Sequence, residues 1–219
     1  ILIKINFTFI IIVVKGLKEV VMMGSKANPD REALLEAVRQ VLPSARYQHT
    51  LGVVKVSIDL ARRFGADVEK AEVAAILHDY AKYHPLDEMR HLIETNPKIP
   101  NDLLDYGHEL WHAFVGAVLV QDQLGINDEE ILNAIRYHTT GRPEMTLVEK
   151  VVFLADYIEP GRQFPGVDLV RRLATTDLDQ AVKQALQQTV SFLEGKGKKV
   201  YPLTKAALDW FLLRQSKTQ

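Results

Sequence analysis

Cysteine is absent from this 219-residue chain. That absence removes disulfides, thiolate metal sites and a cysteine nucleophile together, so any metal held here has nitrogen and oxygen ligands only. An excess of one charge is also missing: 27 Lys and Arg against 28 Asp and Glu leave a formal charge of −1. This balance argues against nucleic acid or an anionic membrane as partner. A phosphate-bearing substrate would need local cations or a metal to hold it. No apolar run reaches the about 20 residues that cross a bilayer. The candidate, Ile1 to Val14, is too short and carries Lys4. Sustained strand alternation, internal repeats and low-complexity linkers are missing as well. The composition fits a cytoplasmic protein, and 47% hydrophobic content supports one sizeable core.

The chain opens without Met, while Met22-Met23 precede an ordinary helix start. Lys18-Glu19-Val20 can be encoded by a stretch containing a bacterial ribosome-binding sequence. Residues 1–21 therefore read as translated leader from a misplaced start. A signal peptide fits less well, because no small-x-small cleavage site follows. This gives an N-terminal extension over 1–27, one domain over 28–214 and a tail over 215–219.

Within that domain the periodicity is helical. Asn28-Pro29-Asp30 reads as N-cap and Pro at N1, opening a helix through Leu42. Pro43-Ser44 breaks it, and Tyr47 to Phe64 forms the next, with His49, Val53, Val56 and Leu60 on one face. Asp67 caps a helix predicted to run through Leu77 to about Lys82, and a shorter one covers Leu86 to Glu94. A long helix is expected from Asp102 to Leu124, closed by Gly125. Asn127 with Glu130 and Thr146 with Glu149 read as capping boxes for helices Glu129–Tyr137 and Leu147–Ile158. Asp177 to Leu193 and Leu203 to Leu213 complete an all-α bundle. Ala207, Trp210 and Phe211 read as core in preference to a homodimer contact.

Against this apolar frame stand six awkward residues: His49, His78-Asp79, His112, His138 and Asp156. Each lies at or in an apolar helical stretch. Asp156 follows Val151-Val152-Phe153-Leu154-Ala155, where a carboxylate costs several kcal/mol unless paired or metal-bound. Taken alone, His49 or His138 reads as a satisfied core histidine, and Asp156 as half of an ion pair with an arginine. Six such coincidences are better explained by a metal site built from converging helices. His108, four residues before His112, could take its place.

The set His49, His78-Asp79, Asp156 resembles the HD superfamily of metal-dependent phosphohydrolases, and His112 with His138 match its dinuclear members. The strings His78-Asp79-Tyr80-Ala81-Lys82, His138-Thr139-Thr140-Gly141-Arg142 and Asp156-Tyr157-Ile158-Glu159-Pro160-Gly161-Arg162 look like its YqeK group. That group splits diadenosine tetraphosphate symmetrically into two ADP. The resemblance covers about Asn28 to Leu213; Gly107-His108-Glu109-Leu110-Trp111 departs from it and is expected to crowd the approach to His112.

The resemblance implies two ions, usually iron, with manganese also admitted. His49, His78, Asp79 and Asp156 would hold the first, and Asp79 would bridge to a second on His112 and His138. Water activated by these ions would attack phosphorus, and Lys82 would stabilise charge on the bridging oxygens. Thr139, Thr140 and Gly141 would offer donors to phosphate, Arg142 and Arg162 bidentate contacts, and Phe164 support for a nucleobase. The same metal core could serve a deoxynucleotide, monophosphate or alarmone hydrolase, or a nucleotide sensor without turnover. A heme or purely structural metal leaves Asp79 and Asp156 unexplained.

Overall fold

A computed structural model describes residues 30–215, and every regular element among them is helical. The N-terminal extension, Asn28, Pro29 and the end of the tail lie outside the described residues. Asp30 itself caps α1 (Arg31–Val41), its carboxylate accepting from the Glu32 N–H. α2 (Ser44–Phe64) begins after Pro43 and ends at Gly65, whose φ of 73° needs a residue without Cβ. α3 (Val68–Leu77) is capped by Asp67. It stops five residues before Lys82: residues 78–83 form tight turns, with Tyr80 N–H bonded to Leu77 O and Lys82 N–H to Asp79 O.

α4 spans Leu86–Thr95. The expected helix from Asp102 to Leu124 is interrupted: two 3₁₀ turns, Asn101–Asp105 and His108–Leu110, precede α5 (Trp111–Leu124). Tyr106 is extended between them (φ −120°, ψ 171°), and that break is what the periodicity concealed. α6 (Glu129–Tyr137) is capped by Asp128, one residue after the expected Asn127, and Asp128 accepts from both Glu130 and Ile131. α7 (Leu147–Ile158) has the expected Thr146 cap, but the Glu149 carboxylate turns to Arg142 instead of closing a capping box. The sequence reading passed over α8 (Val167–Leu173), a short helix that follows a left-handed Gly166. α9 (Leu178–Gly195) starts from Asp177, and α10 (Pro202–Gln215) closes the chain.

Two hydrophobic cores organise these helices. The larger is built from α1, α2, α3, α6, α7, α9 and α10, and takes in the buried Ala207 and Phe211. The smaller joins α4, the 3₁₀ turns and Tyr201. α5 lies between them, with Ala117 and Val120 in the first and Phe114, Val115 and Val118 in the second. A helix buried on both sides has no polar face to spare, and this accounts for its almost unbroken apolar run. Leu77 belongs to the larger core and Ala81 to the smaller. Residues 78–80 thus cross the seam between two apolar bodies, and His78-Asp79 lie in that seam.

Candidate metal centre

Five elements deliver the six residues to one place. His49 comes from the second turn of α2, His78 and Asp79 from just past α3, and His112 from the start of α5. His138 follows α6 directly, and Asp156 occupies the last turn of α7. His78, Asp79, His112 and His138 are all buried. His108 is exposed on its 3₁₀ turn, 6.4 Å ring to ring from Trp111, and does not replace His112. Trp111, in the stretch expected to crowd His112, is itself buried with its indole N–H bonded to Leu103 O.

Asp79 stands at the middle. Its Oδ1 lies 3.1 Å from His112 Nε2 and 3.9 Å from His138 Nε2. Its Oδ2 lies 3.2 Å from His78 Nε2 and 3.8 Å from His49 Nε2. His49 Nε2 is also 3.0 Å from Asp156 Oδ1. The far nitrogens are already engaged. His78 Nδ1 is 2.7 Å from Ala75 O, His138 Nδ1 is 2.8 Å from Ile135 O, and His49 Nδ1 is 3.1 Å from Glu159 Oε1. Each such bond puts the proton on Nδ1 and leaves the Nε2 lone pair facing inward, as outer partners of metal-ligating histidines do.

Protonation follows burial and neighbours. Burial opposes ionisation of Asp79, but His78 and His112 outweigh it and hold the carboxyl well below its ordinary range. Burial opposes ionisation of Asp156 too, and His49 and Arg162 reverse the balance. Burial, with His78 and His112 nearby, pushes His138 down to about 3, and burial lowers His112. Burial opposes a charge on His78, but Asp79 outweighs it and raises its pKa; ionised carboxylates and neutral imidazoles are the forms that bind a cation, so an ion would displace that proton.

A direct test of fit comes from unsatisfied atoms. His49 Nε2, His78 Nε2 and Asp79 Oδ2 are buried without a well-formed hydrogen bond, and their near neighbours are one another, Asp156 and Arg46. Buried polar atoms in native proteins are paired almost without exception, so three such atoms converging on one point call for a ligand. Ligand atoms of His49, His78 and Asp79 lie within 4.8 Å of one another, as do those of His78, His138 and Asp156 and those of Asp79, His112 and His138. With only N and O donors, the arrangement suits a divalent transition ion.

Cations surround this centre. Lys82 Nζ approaches His112 Nδ1 at 3.4 Å, and burial lowers its pKa against the pull of Asp79. Arg162 bonds Asp156 Oδ1 at 2.5 Å and the Asp156 carbonyl at 3.0 Å. Sequence reasoning missed Arg46, whose Nη1 is 3.0 Å from Asp79 Oδ2. It lies one turn before His49 on the same helix, and that spacing was the available signal. Glu159 was also missed as a site residue, although it lies inside a quoted string.

The expected phosphate contacts divide. Thr139 keeps a buried hydroxyl with no partner. Thr140, by contrast, is fully buried with its hydroxyl donated to Gly141 O. The Gly141 N–H bonds Tyr137 O and ends α6, and at φ 62° its missing Cβ faces Leu186, Ala207 and Met145. Arg142 makes two 2.8 Å bonds to the buried Glu149. In this structure the donors of Thr140, Gly141 and Arg142 serve the turn after α6. Phe164 is half-buried, edge-on to Tyr157 at 5.1 Å.

The chain is similar to known proteins over most of its length. Residues 46–161 match the HD domain model, which spans every metal-candidate residue named above. The symmetrical bis(5'-nucleosyl)-tetraphosphatase of Bacillus subtilis is 55% identical over 183 residues, covering 84% of this chain and 98% of that protein. That of Halalkalibacterium halodurans is 52% identical, covering 85% and 99%. A crystal structure of an HD superfamily hydrolase from Clostridium acetobutylicum, described as involved in NAD metabolism, superposes with a TM-score of 0.80. It is 35% identical, covering 84% of this chain and 98% of that one. With residues 46–161 matching its domain and relatives 52–55% identical over 84–85% of its length, the chain belongs to the HD-domain family, in its symmetrical bis(5'-nucleosyl)-tetraphosphatase group.

Proposed function

We propose that the chain is a metal-dependent hydrolase that cleaves diadenosine tetraphosphate symmetrically into two ADP. The observation that carries the chemistry is the meeting of three buried atoms that lack a well-formed hydrogen bond, His49 Nε2, His78 Nε2 and Asp79 Oδ2. The named activity of relatives at 52–55% identity supports the substrate.

His49, His78, Asp79 and Asp156 would hold one ion; Asp79 Oδ1, His112 and His138 offer a second place, with iron or manganese suited to both. Bound ions supply Lewis-acid activation of water and polarisation of phosphoryl oxygens. The chain's own residues do the rest. Lys82 is directed to His112 at the edge of the ligand group, where its ammonium would meet charge on the bridging oxygens. Arg162 and Arg46 add positive charge, and the free Thr139 hydroxyl adds a donor. Phe164 is kept as the nucleobase support. No helix among the described residues is long and apolar enough to cross a membrane; a cytoplasmic location is part of the proposal, and a homodimer is left to solution measurement.

One observation favours a second reading of the metal count. His112 Nε2 and His138 Nε2 lie 3.2 Å apart and satisfy each other, unlike the three atoms of the first set. In that reading a single ion binds, and these two imidazoles face phosphate. Metal analysis of the purified protein separates two ions per chain from one.

Chelator treatment is expected to abolish hydrolysis, and added Fe²⁺ or Mn²⁺ to restore it. Chromatography should then show ADP alone. AMP with ATP, or inorganic phosphate, would overturn the symmetrical reading. Lys82→Ala is expected to keep its metal while kcat falls by about 10²–10³-fold, the usual loss for one charge-stabilising donor. Unchanged kcat would remove Lys82 from the chemistry.

A further inference from the structure

Behind the ligands lies a carboxylate that no step above uses. Glu159 is 5% exposed, at the end of α7. Its Oε1 is 3.1 Å from His49 Nδ1, and its Oε2 accepts the Gly161 N–H at 2.6 Å. Both neighbours are donors, so each oxygen receives one proton and an amide could satisfy only one of them. Two glycines leave the space it fills. A Cβ on Gly52 would lie 3.0 Å from Oε2, and one on Gly161 would lie 3.0 and 3.1 Å from the two oxygens.

The segment carrying Glu159 is fixed from outside. Arg171, on α8, donates to the carbonyls of Ile158 at 3.0 Å, Glu159 at 2.8 Å and Arg162 at 2.8 Å. Its Nη1 pairs with Asp168 at 2.9 Å. One guanidinium therefore gathers three carbonyls of the turn from which Glu159 reaches His49 and Arg162 reaches Asp156.

We propose that Glu159 is a positioning residue for His49: its buried carboxylate, held by Gly161 and given room by Gly52, fixes the imidazole so that Nε2 faces the ion. The inference rests on the reading that the centre binds a cation. It adds to that reading a residue two shells from the substrate, together with the glycines that make room for it.

Titrating chelator-stripped full-length protein with Mn²⁺ by calorimetry, with thermal unfolding of the metal-free forms alongside, tests it. Glu159→Ala is expected to weaken Mn²⁺ binding about 10–100-fold, the usual cost of losing an outer partner of a ligand. Glu159→Gln should also weaken it, because its NH₂ must face one of the two donors. Gly52→Ala adds a residue that favours helix inside α2 while crowding the carboxylate. It should not lower the melting temperature, yet should lower Mn²⁺ affinity, keeping the test decisive if the Glu159 variants fold poorly. Wild-type affinity in Glu159→Gln and Gly52→Ala would overturn the positioning role. Failure of the wild type itself to bind Mn²⁺ would instead overturn the metal-dependent reading.

Discussion

Asp79→Ala is expected to lose bound metal and hydrolysis together, with turnover falling by more than about 10³-fold. The loss should exceed the roughly 10–100-fold that removal of an outer partner costs, because Asp79 is the residue both ligand groups share. One oxygen faces His112 and His138, the other His49, His78 and Arg46. Removing it takes away a donor from each group and the negative charge at the centre. Asp79→Asn keeps the shape but replaces one acceptor by a donor and discards the charge, so it should fail as well; this separates charge from packing. Metal content and ADP release measured on the same preparation check both. Full metal occupancy with normal turnover in Asp79→Ala would dismiss the shared-ligand arrangement.

The second large effect falls on folding. Arg142→Ala is expected to destabilise the protein by about 2–3 kcal/mol, because it strands the buried Glu149 carboxylate beside a guanidinium site that is itself 28% exposed. Its partner Glu149 is 1% exposed, and both 2.8 Å bonds to it come from the one guanidinium. Lysine should not replace it, since an ammonium cannot make the two parallel bonds of the fork. Glu149→Gln in the Arg142→Ala background should recover part of the loss by removing the stranded charge. Urea unfolding gives the stability. KM measured well below the unfolding transition should stay near wild type. A stable Arg142→Ala with a raised KM would return Arg142 to the substrate.

The difference between these two residues marks what the sequence made legible. Asp79 could be read because a carboxylate beside a histidine at the edge of an apolar helix has few stable explanations, and the structure brings all six such residues together. Arg142 looks free in one dimension, beside Gly141, yet the structure pairs it with Glu149. Its partner lies seven residues away across a turn, and no periodicity reports that. Asn127 lost the cap of α6 to Asp128 by a one-residue choice that local pattern does not resolve. The helix expected over Asp102–Leu124 illustrates the same limit: its apolar spacing continues through Tyr106-Gly107, although the backbone there is not helical. α8 escaped because seven residues are too few to show a period, and with it went Arg171 and the support of the turn after α7. Arg46 was within reach, one turn from His49, but an arginine near a helix start draws no attention until Asp79 is seen beside it.

The tight turns after Leu77 also bear on what changes of length this chain can absorb. Past that residue the backbone closes on a three-residue step, Lys82 N–H returning to Asp79 O. Residues three apart then lie nearly one above the other, at about 120° per residue. Adding or deleting a single residue between Asp79 and Lys82 would swing the lysine about a third of a revolution away and shift Ala81 out of the smaller core. Most loops accept such insertions at little cost. Here the turn fixes the spacing between the doublet and its lysine.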